Sequence, residues 1–373
     1  MAPQQQKSHR YYIKTYGCQM NVADSAKLAA VLEAGGYSEF ITDNDSSDIR
    51  ELAACDLVLV NTCVVRQHAE DRAAGYIRSL SGLKQKNPNV KIGVCGCLVS
   101  EPGRDLKKMF PHVDLFVSPN SPEKLIEYLN INWTLEIGHW SLSKHGSTGT
   151  NYVSIMHGCN NFCSYCVVPY VRGREISRPM EEVLAEIKDL IEQGIKDITL
   201  LGQNVNSYKY GLADLMNKIH SFDIGHLTLV IRFMTSHPRD MSDEIIEAVH
   251  ELPWVAKEFL LPLQSGDDEV LKQMNRGYTL AHYLDRMEKI RSLMPQARIM
   301  TDILVGFPGE TEEQFENTLR AVEAIRFNEV HMFAYSDRPG TAAAKMPDKL
   351  PEEVKRERLQ KLIAVVRGLM GVL

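Results

Sequence analysis

The chain has 373 residues, 42 of them basic and 48 acidic, for a formal charge of −6 with His neutral. At 44% hydrophobic and 24% charged it has a globular composition, which excludes wholesale disorder and low complexity, and its length points to two or three domains. No apolar run approaches the roughly 20 residues of a membrane helix, Met1 to Arg10 lacks the apolar core of an export signal, and the eight Cys are too sparse for a disulfide scaffold. Those Cys therefore suggest metal, cluster or redox chemistry in a cytoplasmic protein. The mild negative charge also argues against broad electrostatic attachment to nucleic acid, though not against a local basic patch.

The first 130 residues read as an α/β unit. Residues 11–16 are β-rich and run into Gly17-Cys18, and 22–34 has helical apolar spacing that stops at Gly35-Gly36. Residues 57–60 form a continuous apolar run typical of a buried parallel strand, leading into Asn61-Thr62-Cys63. A strand over 91–94 leads into Cys95-Gly96-Cys97. Another is expected at 113–117, then a helix over 121–130 with Pro122 in its first turn. Alternating strands and helices imply a parallel sheet. Residues 131–150 break the rhythm and turn Ser-, Thr- and Gly-rich, the composition of a linker. From 151 the alternation resumes, with strands expected at 152–157, 197–201, 227–236, 258–264, 297–306 and 329–336. Helices are expected between them at 181–193, 242–252, 280–293 and 312–325, and six β/α units suit a partial (β/α)6 barrel rather than a full eightfold one. The barrel is expected over 151–345 and a C-terminal helix over 346–373.

Cys159, Cys163 and Cys166 have the spacing C-x3-C-x2-C on a loop at the end of the barrel's first strand, the edge where α/β barrels place their chemistry. Three thiolates can hold three corners of a 4Fe–4S cluster and leave the fourth iron open. Zinc with His157 as a fourth ligand, or three unconnected buried Cys, are the alternatives. Cys18, Cys63 and Cys97 each follow a predicted parallel strand. Strand C-termini share one edge of such a sheet, so these three can converge as a second trio, or simply be buried as small hydrophobes. Cys55, which precedes its strand, and Cys95 read as bystanders.

The triplet in this context resembles the radical S-adenosylmethionine (SAM) superfamily. Thr15-Tyr16-Gly17-Cys18-Gln19-Met20-Asn21, Val60-Asn61-Thr62-Cys63 and Gly96-Cys97 are similar to the cysteine motifs of the methylthiotransferase N-terminal domain. Asn160-Asn161-Phe162 and Val167-Val168-Pro169-Tyr170-Val171-Arg172-Gly173-Arg174-Glu175 resemble the branch acting on N6-dimethylallyladenosine of tRNA. The resemblance implies a radical-SAM 4Fe–4S cluster on Cys159, Cys163 and Cys166, an auxiliary 4Fe–4S cluster on Cys18, Cys63 and Cys97, and two SAM per turnover. It implies methylthiolation at C2 of the base at position 37, beside the anticodon, with no side chain as acid–base catalyst. Alternatives are methylthiolation of threonylcarbamoyladenosine or of a ribosomal-protein Asp, and a non-catalytic iron–sulfur or zinc module that binds RNA.

Further strand-end segments are similar to the family: 201–208, 233–238, 261–266 and 301–311. On that resemblance Gln203 meets the amino acid end of SAM, Ser236 and Gln264 the ribose, and Val305-Gly306 the adenine through backbone. Residues 151–180 carry a net +2, against −6 overall. Arg172 and Arg174 are the expected phosphate contacts and Tyr170 a stacking partner for the tRNA anticodon stem-loop, with a solvated basic loop as the bland reading. The other partner expected is a reductant of the flavodoxin or ferredoxin type; the chain is read as a monomer with no membrane association. Family members usually carry a C-terminal β-barrel, the TRAM domain, and no such strand-rich segment follows residue 363 here.

Overall fold

In a computed structural model the described residues are 9–41, 49–65, 67–119, 121, 123–131, 151–222 and 229–370. The linker expected at 131–150 lies outside them from residue 132 onward, as do Pro122, the start of the 227–236 strand and residues 371–373. The chain forms two compact units, Met1–Tyr152 with Tyr170–Gly173, and Val153–Pro169 with Arg174–Leu373. Four residues of the loop after the Cys triplet therefore belong to the first unit.

The first unit is built on strands β1 (His9–Thr15), β2 (Tyr37–Glu39), β3 (Leu57–Thr62), β4 (Lys91–Gly96) and β5 (Leu115–Val117). They pair in parallel in the order β2-β1-β3-β4-β5. This is a doubly wound order, with its switch point between β1 and β3, where open α/β sheets bind ligands beyond the strand C-termini. The central β3 is buried at every position, as its unbroken apolar run predicted. The short edge strand β2 had no sequence signal of its own; it is held by pairing to β1. The helix Gln19–Ala34 covers the sheet with Leu28, Ala29 and Leu32, packed with Tyr11, Leu57 and Leu59 in one cluster. Burial of such side chains contributes about 1.5–3 kcal/mol each.

The second unit contains β6 (Tyr152–Ser154), β7 (Met156–His157), β8 (Ile176–Ser177), β9 (Asp197–Leu201), β10 (Val230–Met234), β11 (Glu258–Leu260), β12 (Arg298–Val305) and β13 (Glu329–Ala334). The strand expected at 152–157 is broken in two, because β7 leaves the barrel to pair antiparallel with β8. The barrel strands form two runs, β10-β9-β6 and β11-β12-β13, joined by an Ile231–Val255 bridge. Among the described residues β6 and β13 are edges, so the barrel is open. One apolar cluster links strand residues such as Leu200, Ile231, Phe259 and Ile303 to helix residues such as Ile187, Leu215, Val249 and Tyr283. Helix starts are set chemically. Ser242, Thr279 and Thr311 accept backbone N–H groups of Ile245, His282 and Gln314, and Gln314 returns the bond to Thr311.

Candidate active site

In the first unit Cys18, Cys63 and Cys97 follow β1, β3 and β4, the strands at and beside the switch point. Cys18 starts the helix Gln19–Ala34 in an extended conformation. The preceding Gly17 has φ of +146°, and a Cβ there would lie 2.4 Å from Asn21 Oδ1 and 2.8 Å from Cys63 Cβ. Only glycine lets the Cys18 turn lie against Cys63 this closely. Gly96, with φ of +90°, does the same for Cys97: its Cβ would fall 2.3 Å from the Thr62 carbonyl.

Two buried asparagines tie these turns together. Asn21 donates to the Thr62 carbonyl at 2.9 Å and to Asn61 Oδ1 at 3.2 Å, and Asn61 donates to the Asn21 carbonyl at 2.8 Å. Cys18 donates its thiol to Asn21 Oδ1 at 3.4 Å, and the Val65 N–H points at Cys63 Sγ at 3.4 Å. Thr62 donates to the Cys95 carbonyl at 2.6 Å and accepts from the Leu98 N–H at 3.3 Å. The motif residues beside the Cys thus build the turns. Their side chains are too short and polar for the core unless mutually bonded.

Arg172 is placed differently from the sequence expectation. It is 5% exposed, its Nη2 is 2.7 Å from Asp24 Oδ2 and its Nε donates to Cys97 Sγ at 3.3 Å. A guanidinium so enclosed and ion-paired does not present itself to a phosphate backbone, so Arg172 is not placed as the phosphate contact expected from the sequence. Burial pushes the Cys97 thiol up to about 11, with the Arg172 guanidinium pulling the other way. Cys95 is fully enclosed, its thiol raised by burial, and it donates to the Val60 carbonyl at 3.6 Å. The Cys55 thiol is pushed up to about 12 by burial.

In the second unit the triplet loop follows β7. It is pinned from below: Ser164 Oγ donates to the Gln273 carbonyl at 2.8 Å, its N–H to Met274 at 2.9 Å, and Asn275 Nδ2 donates to the Asn161 and Phe162 carbonyls at 3.1 and 3.0 Å. Arg276, 4% exposed, donates to Cys163 Sγ at 3.3 Å, to the Pro262 carbonyl at 2.8 Å and to the Tyr278 hydroxyl at 3.2 Å. Neither the Arg276 nor the Arg172 role was visible in sequence, since both depend on long-range placement. Burial pushes the Cys159 thiol up to about 11 and the Cys166 thiol up to about 12. The negative charge of neighbouring Cys adds to both shifts. A triplet in which burial and neighbouring sulfurs oppose ionisation of Cys159 and Cys166 fits a ligand that brings positive charge. Among the described residues no three His, Cys, Asp or Glu side chains are drawn together as around a single ion.

Other barrel strand ends carry polar atoms with unmet hydrogen bonds. Gln203 Oε1, Ser236 Oγ and His237 Nε2 are buried and have no partner among the described residues. Such atoms cost about 1–3 kcal/mol each unless a ligand satisfies them. Thr235 and Gln264 sit at φ of +72° and +69°, where non-glycine residues store about 1–3 kcal/mol of strain. The unpartnered atoms of Gln203, Ser236 and His237 thus lie just after β9 and β10, as acceptor and donor groups suited to a polar ligand. Val305 and Gly306 differ from expectation in one respect. The Val305 carbonyl already accepts from the Tyr335 N–H at 2.8 Å and the Gly306 N–H donates to Glu310 Oε2 at 2.7 Å. Gly306 is there for shape: at φ of +74° its Cβ would lie 2.5 Å from Lys355. Glu310 is in turn gripped by Arg358 of the helix Glu352–Met370 at 2.7 Å. Arg174 is exposed and lies 4.2 Å over the Phe162 ring, and Tyr170 is 41% exposed.

Burial, and then the Arg276 and Arg239 cations, hold the His237 imidazole down at about 2. Its Nδ1 accepts the Arg239 N–H at 3.3 Å, so the neutral ring carries its proton on Nε2 as a donor. From pH 2 to 6.5 the unfolded chain binds a proton that the folded one refuses, so stability rises with pH through that window and levels above 6.5. Going from pH 6.5 to 5 is expected to cost about 2 kcal/mol through this group. Urea unfolding at both pH values should show that loss in the wild type and a smaller one in His237→Asn; equal losses would refute it.

An open parallel barrel with a three-thiol loop after its first strands and unsatisfied polar groups at the ends of β9 and β10 is the architecture of a radical SAM enzyme, and the Radical SAM superfamily model matches residues 153–322. The model described as Uncharacterized protein family UPF0004 matches residues 10–118. The chain is 46% identical to the tRNA-2-methylthio-N(6)-dimethylallyladenosine synthase of Thermoanaerobacter pseudethanolicus over 377 residues, covering 96% of this chain and 78% of that protein. It is 45% identical to the synthase of the same name from Caldicellulosiruptor saccharolyticus, with the same coverages, and 44% identical to that of Clostridium novyi, covering 97% and 82%. It belongs to the family of tRNA-2-methylthio-N(6)-dimethylallyladenosine synthases. In fold it is similar to the radical SAM methyltransferase TsrM of Kitasatospora setae, at a TM-score of 0.66 and 16% identity, covering 90% of this chain and 77% of that one. It is also similar to the cobalamin-dependent radical enzyme OxsB, at 0.59 and 11%, covering 97% and 56%.

Proposed function

We infer that this chain adds a methylthio group to C2 of N6-dimethylallyladenosine at position 37 of tRNA. It is a transferase that uses SAM and two 4Fe–4S clusters. The observation that carries the two-cluster reading is the pair of thiol trios, one at the C-terminal edge of the parallel sheet of the first unit and one on the loop after β7 in the second, with each trio receiving a bond from a buried arginine. Bound to these trios, the clusters would supply one-electron chemistry toward SAM in the second unit and sulfur in the first. An aromatic C–H has no proton that a side chain at neutral pH can remove, so the chain's residues position and protect rather than act as acid or base.

Cys159, Cys163 and Cys166 bind the radical-SAM cluster on a loop held rigid by Ser164 and Asn275. Gln203 accepts from the ammonium of SAM, Ser236 and Gln264 meet the ribose, and the Val305-Gly306 turn shapes the adenine seat. Cys18, Cys63 and Cys97 bind the auxiliary cluster. Arg174 and Tyr170 take the phosphate and base of the anticodon loop, whose target base must be unstacked to reach the site. The electron comes from a flavodoxin- or ferredoxin-type carrier, and the chain acts as a cytoplasmic monomer. Among the described residues no helix is long and apolar enough to cross a membrane.

Mass spectrometry of tRNA nucleosides tests the substrate. Cells lacking the gene should accumulate N6-dimethylallyladenosine and lose its methylthio derivative, with both restored by a plasmid copy. Loss of methylthiolated threonylcarbamoyladenosine instead would reassign the substrate, and unchanged nucleosides would exclude tRNA.

A further inference from the structure

We propose that Arg172 is a positioning residue of the auxiliary cluster. Held by Asp24, it donates a hydrogen bond to the Cys97 thiolate and thereby raises the reduction potential of the cluster bound by Cys18, Cys63 and Cys97. The proposal rests on the reading of those three Cys as ligands.

Three observations carry it. Arg172 is buried, and a buried guanidinium costs several kcal/mol unless its charge and N–H groups are met. Asp24 meets one end at 2.7 Å, and Cys97 Sγ is met by Nε at 3.3 Å. The fixed fork of the guanidinium lets one side chain serve an anchor and a sulfur together, which an ammonium on a flexible stem does less well. Second, Tyr170–Gly173 is grouped with the first unit while the residues on either side of it are grouped with the second. Arg172 in that stretch is ion-paired to Asp24 within the first unit, and Gly173 at φ of +76° turns the chain directly after it. Third, the other trio has the same device: Arg276 donates to Cys163 Sγ, also at 3.3 Å.

The sign follows from charge. Reduction adds negative charge to a cluster and its thiolates, and an N–H donor on a ligand sulfur stabilises that form, so the donor raises the potential. Removing the donor lowers it. Removing Asp24 leaves the guanidinium uncompensated beside the sulfur and raises it further. A residue that merely filled space would give no such opposition.

The test uses the full chain with Cys159, Cys163 and Cys166 all replaced by Ala, so that the reconstituted iron, about four per chain, belongs to the first unit. Midpoints come from redox titration followed by electron paramagnetic resonance. Arg172→Gln in this background should shift the midpoint to more negative potential, Arg172→Lys should shift it less, and Asp24→Asn should shift it to more positive potential. Loss of iron from Arg172→Gln with an unchanged circular dichroism spectrum also supports the bond. Full iron at an unchanged midpoint in Arg172→Gln overturns the proposal, as do shifts of one sign in Arg172→Gln and Asp24→Asn. If Arg172→Gln does not fold, the signs for Arg172→Lys and Asp24→Asn make the same decision. Failure of the triple-Ala parent to take up iron overturns the ligand assignment instead, which separates the two failures.

Discussion

Replacing Cys159 by Ala is expected to abolish reductive cleavage of SAM and to lower bound iron from about eight to about four per chain. Cys159 is 9% exposed, on a loop whose position other residues set. Ser164 and Asn275 still anchor the loop in the variant, so the fold survives and the loss is chemical. Two remaining thiols are too few to hold a 4Fe–4S cluster there. Reconstituted protein with a strong reductant, assayed for 5′-deoxyadenosine, should give background levels. Cleavage at the wild-type rate would remove Cys159 from the site.

Cys63→Ala is expected to do the converse. SAM cleavage continues, iron again falls to about four per chain, and the methylthio product disappears. Cys63 is 3% exposed beneath the Gly17 turn, while the Asn21–Asn61 bonds that hold the turns do not involve its sulfur. The variant therefore keeps its first unit folded without one corner of the sulfur-supplying site. Incubation with a tRNA carrying N6-dimethylallyladenosine should yield 5′-deoxyadenosine without methylthiolated nucleoside. Product at the wild-type level would sink the role of the first unit as sulfur source. The two variants separate radical generation from sulfur insertion, as an assay of product alone cannot.

The large elements were legible because their signals are local. The 57–60 run became the buried β3, and the alternation after residue 151 became the strands of an open barrel, with boundaries off by a few residues. The strand expected at 152–157 was read as one because its apolar pattern is continuous; it breaks because β7 finds an antiparallel partner in β8, twenty residues on in sequence terms. β2 was missed since three residues at a sheet edge carry no period to detect. Gln203 and Ser236 stand in strand-end motifs, and each holds a buried side-chain oxygen without a partner among the described residues. The role of His237, beside Ser236, is not legible in sequence, because a lone His gives no hint of burial or tautomer.

The sequence by itself determined the chemistry available to this protein: two groups of three Cys, one set by local spacing and one by strand-end position, in a doubly wound α/β unit and a partial barrel. Spacing along a loop and the shared edge of a parallel sheet are consequences of covalent geometry, so they can be read in one dimension. Only the tertiary structure decided what the charged side chains do. Arg172 reads in sequence as part of a basic loop, and its neighbours in space, Asp24 and Cys97, are far away along the chain. A guanidinium's role depends on whether it meets water or a desolvated partner, and burial is a property of the folded chain that a run of residue types does not contain.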